Sequence, residues 1–192
     1  MSTLRPSRLS KTLALVPPAM ALVAQHASGA FDAFIKLGDT IAGESTAQNH
    51  IDWIELKDVS WQVSRTITGT GASRTASTPA VSELTITKTL DRASTGIFLN
   101  AVGPVNGAIP TVTMELVDSH ATGNNGIFYR LTLSNVMVSS QKNSSPQGAD
   151  HPTETVTLNF TKIKVEYWYK DLDGVLHQGT TVQFDMAKGT AS

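Results

Sequence analysis

Residues 151–169 read HPTETVTLNFTKIKVEYWY, and this stretch decides the fold that the sequence predicts. Its apolar side chains alternate as they do in a β-strand with one buried face. Val156, Leu158 and Phe160 fall on even positions, whereas Ile163 and Val165 fall on odd positions. Because a shift of one residue turns every side chain to the opposite face of a sheet, a straight strand cannot bury both groups.

The change of phase predicts a β-bulge or a sharp bend at Thr161–Lys162. A bulge sets two residues opposite one and redirects the side chains beyond it. Ile163, Val165 and Tyr167 can then keep facing the interior while the strand passes from one sheet to another. The stretch therefore indicates the corner of a closed β-barrel.

The rest of the chain predicts further strands separated by segments rich in turn-forming residues. Three of these segments are polar and are predicted to be loops: 41–50, 65–79 and 141–150. Asn125–Gly126 and Asp173–Gly174 suit hairpin turns, so the strands on either side of each turn should be antiparallel neighbours. With the stretch above, the predicted strands are 31–37, 51–64, 81–90, 109–119, 127–140 and 180–188.

One segment predicts a helix. Asp91 can cap its first turn, Ile97, Phe98 and Ala101 form an apolar stripe at helical spacing, and Gly103–Pro104 ends it. The predicted fold is therefore mainly β: a single antiparallel pseudo-β-barrel or sandwich with one short α-helix. Long strands with exposed edges must be covered or paired, and self-association is one way to cover them.

Charge and composition exclude several classes of function. Residues 1–30 hold Arg5, Arg8 and Lys11 and no acid, a net charge of +3; the other 12 Lys and Arg stand against all 16 Asp and Glu, a net charge of −4. A mildly acidic body without a basic cluster argues against a nucleic-acid partner. The chain has no cysteine, which excludes disulfides, thiolate nucleophiles and cysteine-bound zinc.

Residues 1–30 resemble a secretory signal peptide. A basic start precedes an apolar run at 12–24, and small residues at Ser28 and Ala30 suit a peptidase. The run is too short to cross a bilayer, which needs about 20 residues, so we expect no membrane partner. The alternatives are a flexible tail, an engineered start, or an arm that packs on a neighbour. Under each of them the domain organisation is a leader at 1–30, a barrel at 31–188 and a tail at 189–192.

The sequence offers no constellation for catalysis or metal binding. Its five histidines are isolated from one another and from other ligands, so we expect no metal and no cofactor. Ser45 in GESTA (43–47) begins like a nucleophile elbow, but the closing glycine is missing and the segment lies between two strands. A small esterase that uses Ser45 is the enzyme alternative, and we expect that the protein is not an enzyme.

Several blocks of the sequence, in order, resemble Hcp, the tube protein of the type VI secretion system. They are FDAFIKLGDTIAGES, DWIELKDVSWQVS, ELTITKTLDRAS, YRLTLSNVMVSS, HPTETVTLNFTKIKVEY and the closing DLDG with VQFDMAK. Together they cover almost the whole chain after residue 30. The family differs at the second block, where it usually has a Trp at the position of Val59 and a Gly at the position of Gln62.

The resemblance implies a hexameric ring whose copies stack into a tube, which a contractile sheath drives out of a bacterium. It implies a lumen that shelters small effector proteins, and a 65–79 segment that reaches toward the adjacent ring. Sheath, spike and effector proteins are the implied partners beside the chain itself. The contact residues between subunits that it implies are Gly43, Glu44, Ser45, Trp61, Arg65 and Arg74.

Two functions remain at this point. The first is a structural, self-assembling ring and tube subunit that is assembled in a bacterial cell and then secreted. The second, suggested by the leader, is an exported Hcp-like protein that forms extracellular filaments or a surface module outside the secretion machine.

Overall fold

A computed structural model describes residues 31–103, 107–119 and 126–192. The leader at 1–30, Pro104 and Asn125 lie outside the described residues, and the predictions made for them stay predictions. The described chain holds one α-helix, one short 3-10 turn at Gly71–Ser73, and a series of strands. These elements are β1 Phe31–Leu37, β2 Ile54–Ser60, β3 Val63–Ser64, β4 Ile67–Thr68, β5 Thr75–Ala76, β6 Ala80–Val81, β7 Leu84–Thr89, α1 Ala93–Val102, β8 Ile109–Asp118, β9 Ile127–Ser144, β10 Thr153–Asn159, β11 Lys162–Lys170, β12 Leu176–Gln178, β13 Val182–Asp185 and β14 Thr190–Ala191.

Six antiparallel strands close into a barrel. Their order is β10, β7, β2, β1, β8, β9, and β9 pairs again with β10. A sheet from β9 through β11 and β13 to β14 continues past this ring, with β12 on the far half of β11. Closure removes most free strand edges, and the mainly β fold with one short helix is confirmed.

The strand β9 makes this closure possible because it is 18 residues long and serves two sheets. Its first half pairs with β8 and β11, and its second half pairs with β10. Residues 141–144, which were predicted to lie in a loop, extend β9 because Gln141 to Ser144 pair with β10.

The predicted bend at Thr161 is confirmed. β10 ends at Asn159, Thr161 lies in a bend, and β11 begins at Lys162 in the other sheet. Phe160 and Ile163 are both buried, so the inward face changes parity between them. The Thr161 N–H and hydroxyl both donate to the carbonyl of Ser134 on β9, at 3.1 and 3.2 Å, and this fixes the corner.

Two details of that prediction differ in the structure. The one-residue shift in the pairing of β9 with β10 lies between Thr157 and Leu158, inside β10 and before the bend at Thr161. Tyr167 was predicted to face the interior and is 49% exposed, because β11 has passed beyond the barrel at that point. Val165 is half-buried and packs against the core.

The barrel interior is an apolar core that also encloses the side chains of Lys88 and Glu154. Alternate residues of β7 and β10 are buried, which agrees with the period of two in their sequences. The fully buried members include Ile35, Leu37, Ile54, Leu84, Ile86, Val112, Leu131, Leu133, Val156 and Leu158.

Helix α1 packs against β9 and the core with a face that the sequence did not predict. Ala93, Ser94 and Ile97 are buried, whereas Phe98 is 59% exposed and Ala101 is also exposed. The predicted stripe was wrong because the sequence is apolar on both sides of the helix, so helical spacing alone could not select the inner face. Asp91 was predicted to be the N-cap, but the N-cap is Arg92, one residue later, and its side chain makes no capping hydrogen bond. Asp91 accepts a hydrogen bond from the Ala93 N–H at 2.9 Å from the position just before it.

Candidate functional site

The segment 65–79, predicted to be a loop, belongs to a two-stranded ribbon that we call the arm (residues 62–82). Within it β3 pairs with β6 and β4 pairs with β5, and neither pair joins the barrel sheet. Hydrogen bonds from the Ser77 N–H to the Thr66 carbonyl (2.9 Å) and from the Ser82 N–H to the Gln62 carbonyl (2.8 Å) connect its two sides. Residues 62–78 are all exposed, so the arm is a projection with a defined backbone.

Arg65 and Arg74 both lie on the arm. Arg65 is exposed, and the Arg74 Nε donates to the Gly71 carbonyl at 3.1 Å, which holds the turn at the tip. Gly69 and Gly71 have positive φ values, of 86° and 56°, which favour glycine and let the tip reverse direction. The arm also carries two exposed aliphatic side chains, Val63 (60%) and Ile67 (54%).

Trp61 stands at the base of the arm. It is partly buried and packs against the core, and its side chain hydrogen-bonds the hydroxyl of Tyr129. Burial raises the pKa of the Tyr129 hydroxyl, against the opposing effect of the bond from Trp61. Trp61 directly precedes the arm in the chain, so its indole connects the arm to the barrel.

Gly43, Glu44 and Ser45 lie in one short segment that is hydrogen-bonded to the two residues just before β2. The Gly43 N–H donates to the Asp52 carbonyl at 2.7 Å and the Ser45 N–H donates to the Trp53 carbonyl at 3.0 Å. A Cβ on Gly43 would lie 2.2 Å from the Trp53 carbonyl oxygen, so the close approach of the two backbones requires glycine.

Helix α1 is connected to the same segment through Arg92, a residue that the sequence did not single out. Its Nε donates to the Gly43 carbonyl at 2.5 Å, and its guanidinium pairs with Asp52. Its backbone N–H donates to the exposed Glu44 carboxylate at 3.0 Å. Positive φ values at Asn49 and Asp52 turn the chain back toward Arg92, and the run NHID was the available signal for that turn.

Ser45 does not have the setting of a nucleophile. It is 3% exposed and its hydroxyl accepts the Ala47 N–H at 3.2 Å. The neighbouring His50 donates to the Glu115 carboxylate at 2.7 Å instead. Across the described ranges no group of three or more His, Asp or Glu side chains is arranged to hold a metal ion. In the same ranges no helix is long and apolar enough to span a membrane.

His50 belongs to a cluster on the outer face of β1 and β8. Its ring stacks on Phe34 at 4.3 Å between centroids, while Glu115 also accepts a hydrogen bond from the Arg130 Nε at 2.6 Å. Arg130 in turn lies over the Trp168 ring at 5.1 Å. Burial raises the pKa of the Glu115 carboxyl, but the hydrogen bonds from His50 and Arg130 outweigh it and hold that pKa below its usual value.

Two further surfaces of the described residues are apolar and exposed. The outer face of the helix includes Phe98, Leu99 and Val102, which are 59%, 68% and 63% exposed. These side chains lie at i, i+1 and i+4, on the side away from buried Ile97. The second surface lies where β11, β12 and β13 extend past the barrel, and its members are Tyr167, Tyr169, Leu172, Val175 and Val182. Exposed apolar patches of this kind mark protein contacts more often than isolated exposed residues do.

Comparison with known proteins gives the family. Residues 34–167 match the family model described as type VI secretion system effector, Hcp. The protein hcp1 of Pseudomonas aeruginosa is 31% identical over 154 residues, which are 78% of this chain and 91% of that protein. The chain therefore belongs to the Hcp family, and the resemblance stated above is confirmed.

Solved structures agree with this assignment. A type six secretion system protein superposes with a TM-score of 0.75 at 28% identity, covering 85% of this chain and all of that one. Hcp1 of Salmonella typhimurium has a TM-score of 0.66 at 23% identity with the same coverage, which supports the fold. The family consists of secreted, structural components of the type VI secretion system that self-assemble.

The structure groups the residues predicted as contacts into two places. Gly43, Glu44 and Ser45 lie together beside the start of α1, and Trp61, Arg65 and Arg74 lie along the arm. The aromatic run at 167–169 is typical of a core margin or a protein interface, and Tyr167 and Tyr169 are exposed in the second apolar surface. The outer face of α1 was not identified from the sequence, since helical spacing does not distinguish an outward apolar residue from a core residue.

Proposed function

We propose that the protein is a ring and tube subunit of a type VI secretion system, assembled in a bacterial cell and secreted from it. The observation that carries the proposal is the arm. It is a paired ribbon whose residues 62–78 are exposed on both faces, so its aliphatic side chains bury nothing within its own subunit. Contact with another copy would stabilise the arm, because its exposed apolar area would then be removed from water.

Head-to-tail assembly requires two different surfaces that fit each other. A heterologous contact of this kind closes into a ring when the rotation between subunits is right and makes a helical filament when it is not. The helix face with Phe98 and Leu99 and the surface with Tyr167 and Tyr169 are two different exposed apolar surfaces on one subunit. We assign them to contacts between copies within and between rings.

The predicted contact residues have distinct roles in this proposal. Arg65 and Arg74 supply positive charge on the arm for the acidic body of a neighbouring copy, whose net charge outside the leader is −4. Trp61 sets the direction in which the arm leaves the barrel. Glu44 is the exposed member of its segment and is the one available to a neighbour, while Gly43 and Ser45 hold that segment in place.

Family membership also supports the finer parts of the proposal. The lumen of the ring holds small effector proteins during passage, and the outer wall and ends of the tube contact the sheath and the spike. A second function, an exported filament or surface module outside the machine, is favoured by the basic and then apolar order of residues 1–30. If the mature secreted protein still begins at Met1 when its mass is measured, the signal-peptide form of that second function is excluded.

The experiment is native mass spectrometry and electron microscopy of the purified chain at tens of micromolar. We expect closed rings and short stacks in the parent protein, and shorter stacks or free rings in Ile67→Asp, which adds a charge to the exposed aliphatic surface of the arm. Ser64→Asp is the matched control, because it adds the same charge at another exposed position of the same ribbon. A strictly monomeric parent protein contradicts the proposal, and open filaments without rings support the second function.

A further inference from the structure

The barrel wall opens between the first half of β1 and the second half of β2. β1 pairs with β8 along all seven residues, whereas only Phe34 and Ile35 pair with β2. In that register residues 31–33 would continue opposite residues 56–58, but they do not pair. The pairing of β2 with β7 shifts by one residue at this point, and a bulge of this kind bends the strand that carries it. The edge of β1 at residues 31–33 is therefore free to pair with another strand.

This opening is a groove of about 490 Å³ with apolar and acidic side chains in its walls. Phe31 is 51% exposed there. The charged side chains of the groove are all exposed, and they are three acids and one base: Asp32, Glu55, Asp58 and Lys57. Within the described residues none of the three acids has an ion pair. The net charge of −2 and the free strand edge together favour an extended segment that is basic.

The arm is a described segment with these properties. Its residues 62–82 include Arg65 and Arg74 and no acid, a net charge of +2. Of the described arginines, Arg92 and Arg130 pair with carboxylates, whereas the two on the arm pair with none. The arm is exposed in its own subunit, so it does not fill the groove of that subunit. The occupant that fits the groove is therefore the arm of a second copy.

One edge of the arm combines the charge with a backbone that can pair. The Thr66 N–H donates to the Ser77 hydroxyl at 3.0 Å, and the Thr66 carbonyl accepts the Ser77 N–H at 2.9 Å. Because backbone groups alternate in direction along an antiparallel strand, those of Arg65 and Ile67 point to the free edge of the ribbon. Val63, Arg65 and Ile67 also share one face, since side chains alternate with a period of two. That face is apolar, basic and apolar in order, and it is exposed.

We propose that residues 63–68 of one copy's arm bind in this groove of a second copy, as a strand added to the free edge of β1. The Arg65 guanidinium then lies among the carboxylates of the groove, and the aliphatic side chains of Val63 and Ile67 leave water. Ser64, on the opposite face of the same strand, stays in contact with water. The inference rests on the proposed function and deepens it, because it names the surface that receives the arm.

The absence of cysteine allows a direct test by cross-linking between copies. One preparation of the full chain carries Ile67→Cys on the arm, and a second carries Lys57→Cys in the groove. When the two are mixed and treated with a short bis-maleimide, we expect a covalent dimer with one chain of each kind, because neighbouring strands lie only about 4.8 Å apart. Asp150→Cys, at an exposed position in the loop before β10, is the control that replaces Lys57→Cys.

Electron microscopy of the same mixtures separates this inference from the proposed function. Rings or stacks that give no cross-link between Ile67→Cys and Lys57→Cys, or no more than with Asp150→Cys, overturn the inference and leave the proposed function standing. The cross-link in open filaments without rings supports the inference and contradicts the ring. A strictly monomeric protein contradicts both.

Exchange of the two charges provides a second measurement. Arg65→Asp and Asp58→Arg should each raise the concentration at which half of the subunits assemble by at least about tenfold, because each places like charges next to each other. A chain that carries both substitutions should assemble nearly as the parent does, since the ion pair is restored with its charges exchanged. The control, Arg65→Asp with Asp150→Arg, should assemble as weakly as Arg65→Asp alone. Sedimentation velocity measures all four variants, and a double variant no better than this control contradicts the inference.

Discussion

Lys88 and Glu154 form an ion pair inside the barrel, directly opposite each other on β7 and β10. The Nζ–Oε2 distance is 3.2 Å and both side chains are completely buried. Lys88 also pairs with the Asp91 carboxylate at 2.7 Å, while the Ser94 hydroxyl donates to Glu154 at 2.5 Å. The Gln141 amide donates to the other Glu154 oxygen at 2.6 Å, so the network joins the start of α1 to two walls of the barrel.

We expect Lys88→Met to destabilise the folded subunit by about 3–5 kcal/mol, because removing one partner leaves a buried charge without compensation. Here Glu154 and Asp91 would both lose their cation. Urea unfolding followed by tryptophan fluorescence measures the change. Lys36→Met is the control, since Lys36 pairs with Asp39 at the surface, and it should shift the free energy of unfolding by less than about 1 kcal/mol.

The double variant Lys88→Met/Glu154→Gln separates the charge effect from packing. It should be more stable than Lys88→Met alone, because the uncompensated carboxylate has been removed with the ammonium. Equal or greater destabilisation of the double variant would mean that the network acts through shape and hydrogen bonding and not through charge.

Acid should destabilise the subunit partly through Glu115. Burial raises the pKa of this carboxyl in the folded protein. The hydrogen bonds from His50 and Arg130 lower it by more, so the pKa lies below its usual value. A carboxyl whose pKa is lower in the folded than in the unfolded protein stabilises the fold at pH values above its unfolded pKa of about 4.3. This stabilisation is lost as the pH falls through the folded-state pKa.

The free energy of unfolding should therefore fall less between pH 6 and pH 3 in Glu115→Gln than in the parent, and the difference between the two proteins should shrink toward pH 3. Glu55→Gln, at an exposed position on β2, is the control and should keep the pH dependence of the parent. Parallel pH profiles for Glu115→Gln and the parent would rule out this role.

The change of face in residues 151–169 was sufficient to predict the corner of the barrel, because parity at Phe160 and Ile163 is a local property of the chain. The exposure of Tyr167 was not predictable in the same way. It depends on where β11 leaves the barrel, and that point is set by the pairing of Lys162–Tyr167 with β9, which is a contact between distant parts of the sequence.

The same distinction holds for the candidate contact surfaces. The polar, glycine-rich arm was visible in the composition of residues 65–79, but its pairing into a ribbon was not. The inner face of α1 could not be selected because Ile97 and Phe98 are equally apolar, and only their position against β9 distinguishes them. Arg92 was missed because its partners, Gly43 and Asp52, lie about 40–49 residues away in the sequence.

Gly43→Ala should destabilise the segment that connects β1, β2 and α1. The new Cβ would lie 2.2 Å from the Trp53 carbonyl oxygen. That oxygen accepts the Ser45 N–H, and the preceding Asp52 carbonyl accepts the Gly43 N–H, so it cannot move away without breaking these hydrogen bonds. We expect a loss of at least about 2 kcal/mol in thermal or urea unfolding. Gly179→Ala is the control, since its Cβ would meet the Tyr167 carbonyl at an ordinary 3.4 Å, and it should be nearly neutral. If the two variants unfold alike, the close approach at Gly43 is not what holds the segment.

Leu99→Asp should weaken assembly without weakening the fold. Leu99 is 68% exposed on α1, so an aspartate there costs the single subunit little, within about 0.5 kcal/mol as for most surface substitutions. In a contact between copies the same carboxylate would lose its hydration and be left unpaired, which costs several kcal/mol. Sedimentation velocity across a concentration series should show the ring dissociating at concentrations at least about 100-fold higher than in the parent, which corresponds to about 2.8 kcal/mol.

Thr95→Asp is the matched control for Leu99→Asp, because it places the same charge on an exposed position one turn earlier in the same helix. It should leave ring formation close to that of the parent, since threonine is polar and its replacement removes no apolar contact between copies. Equal assembly of Leu99→Asp and the parent would remove the outer face of α1 from the contact between subunits. The arm and the surface around Tyr167 and Tyr169 would then have to supply that contact.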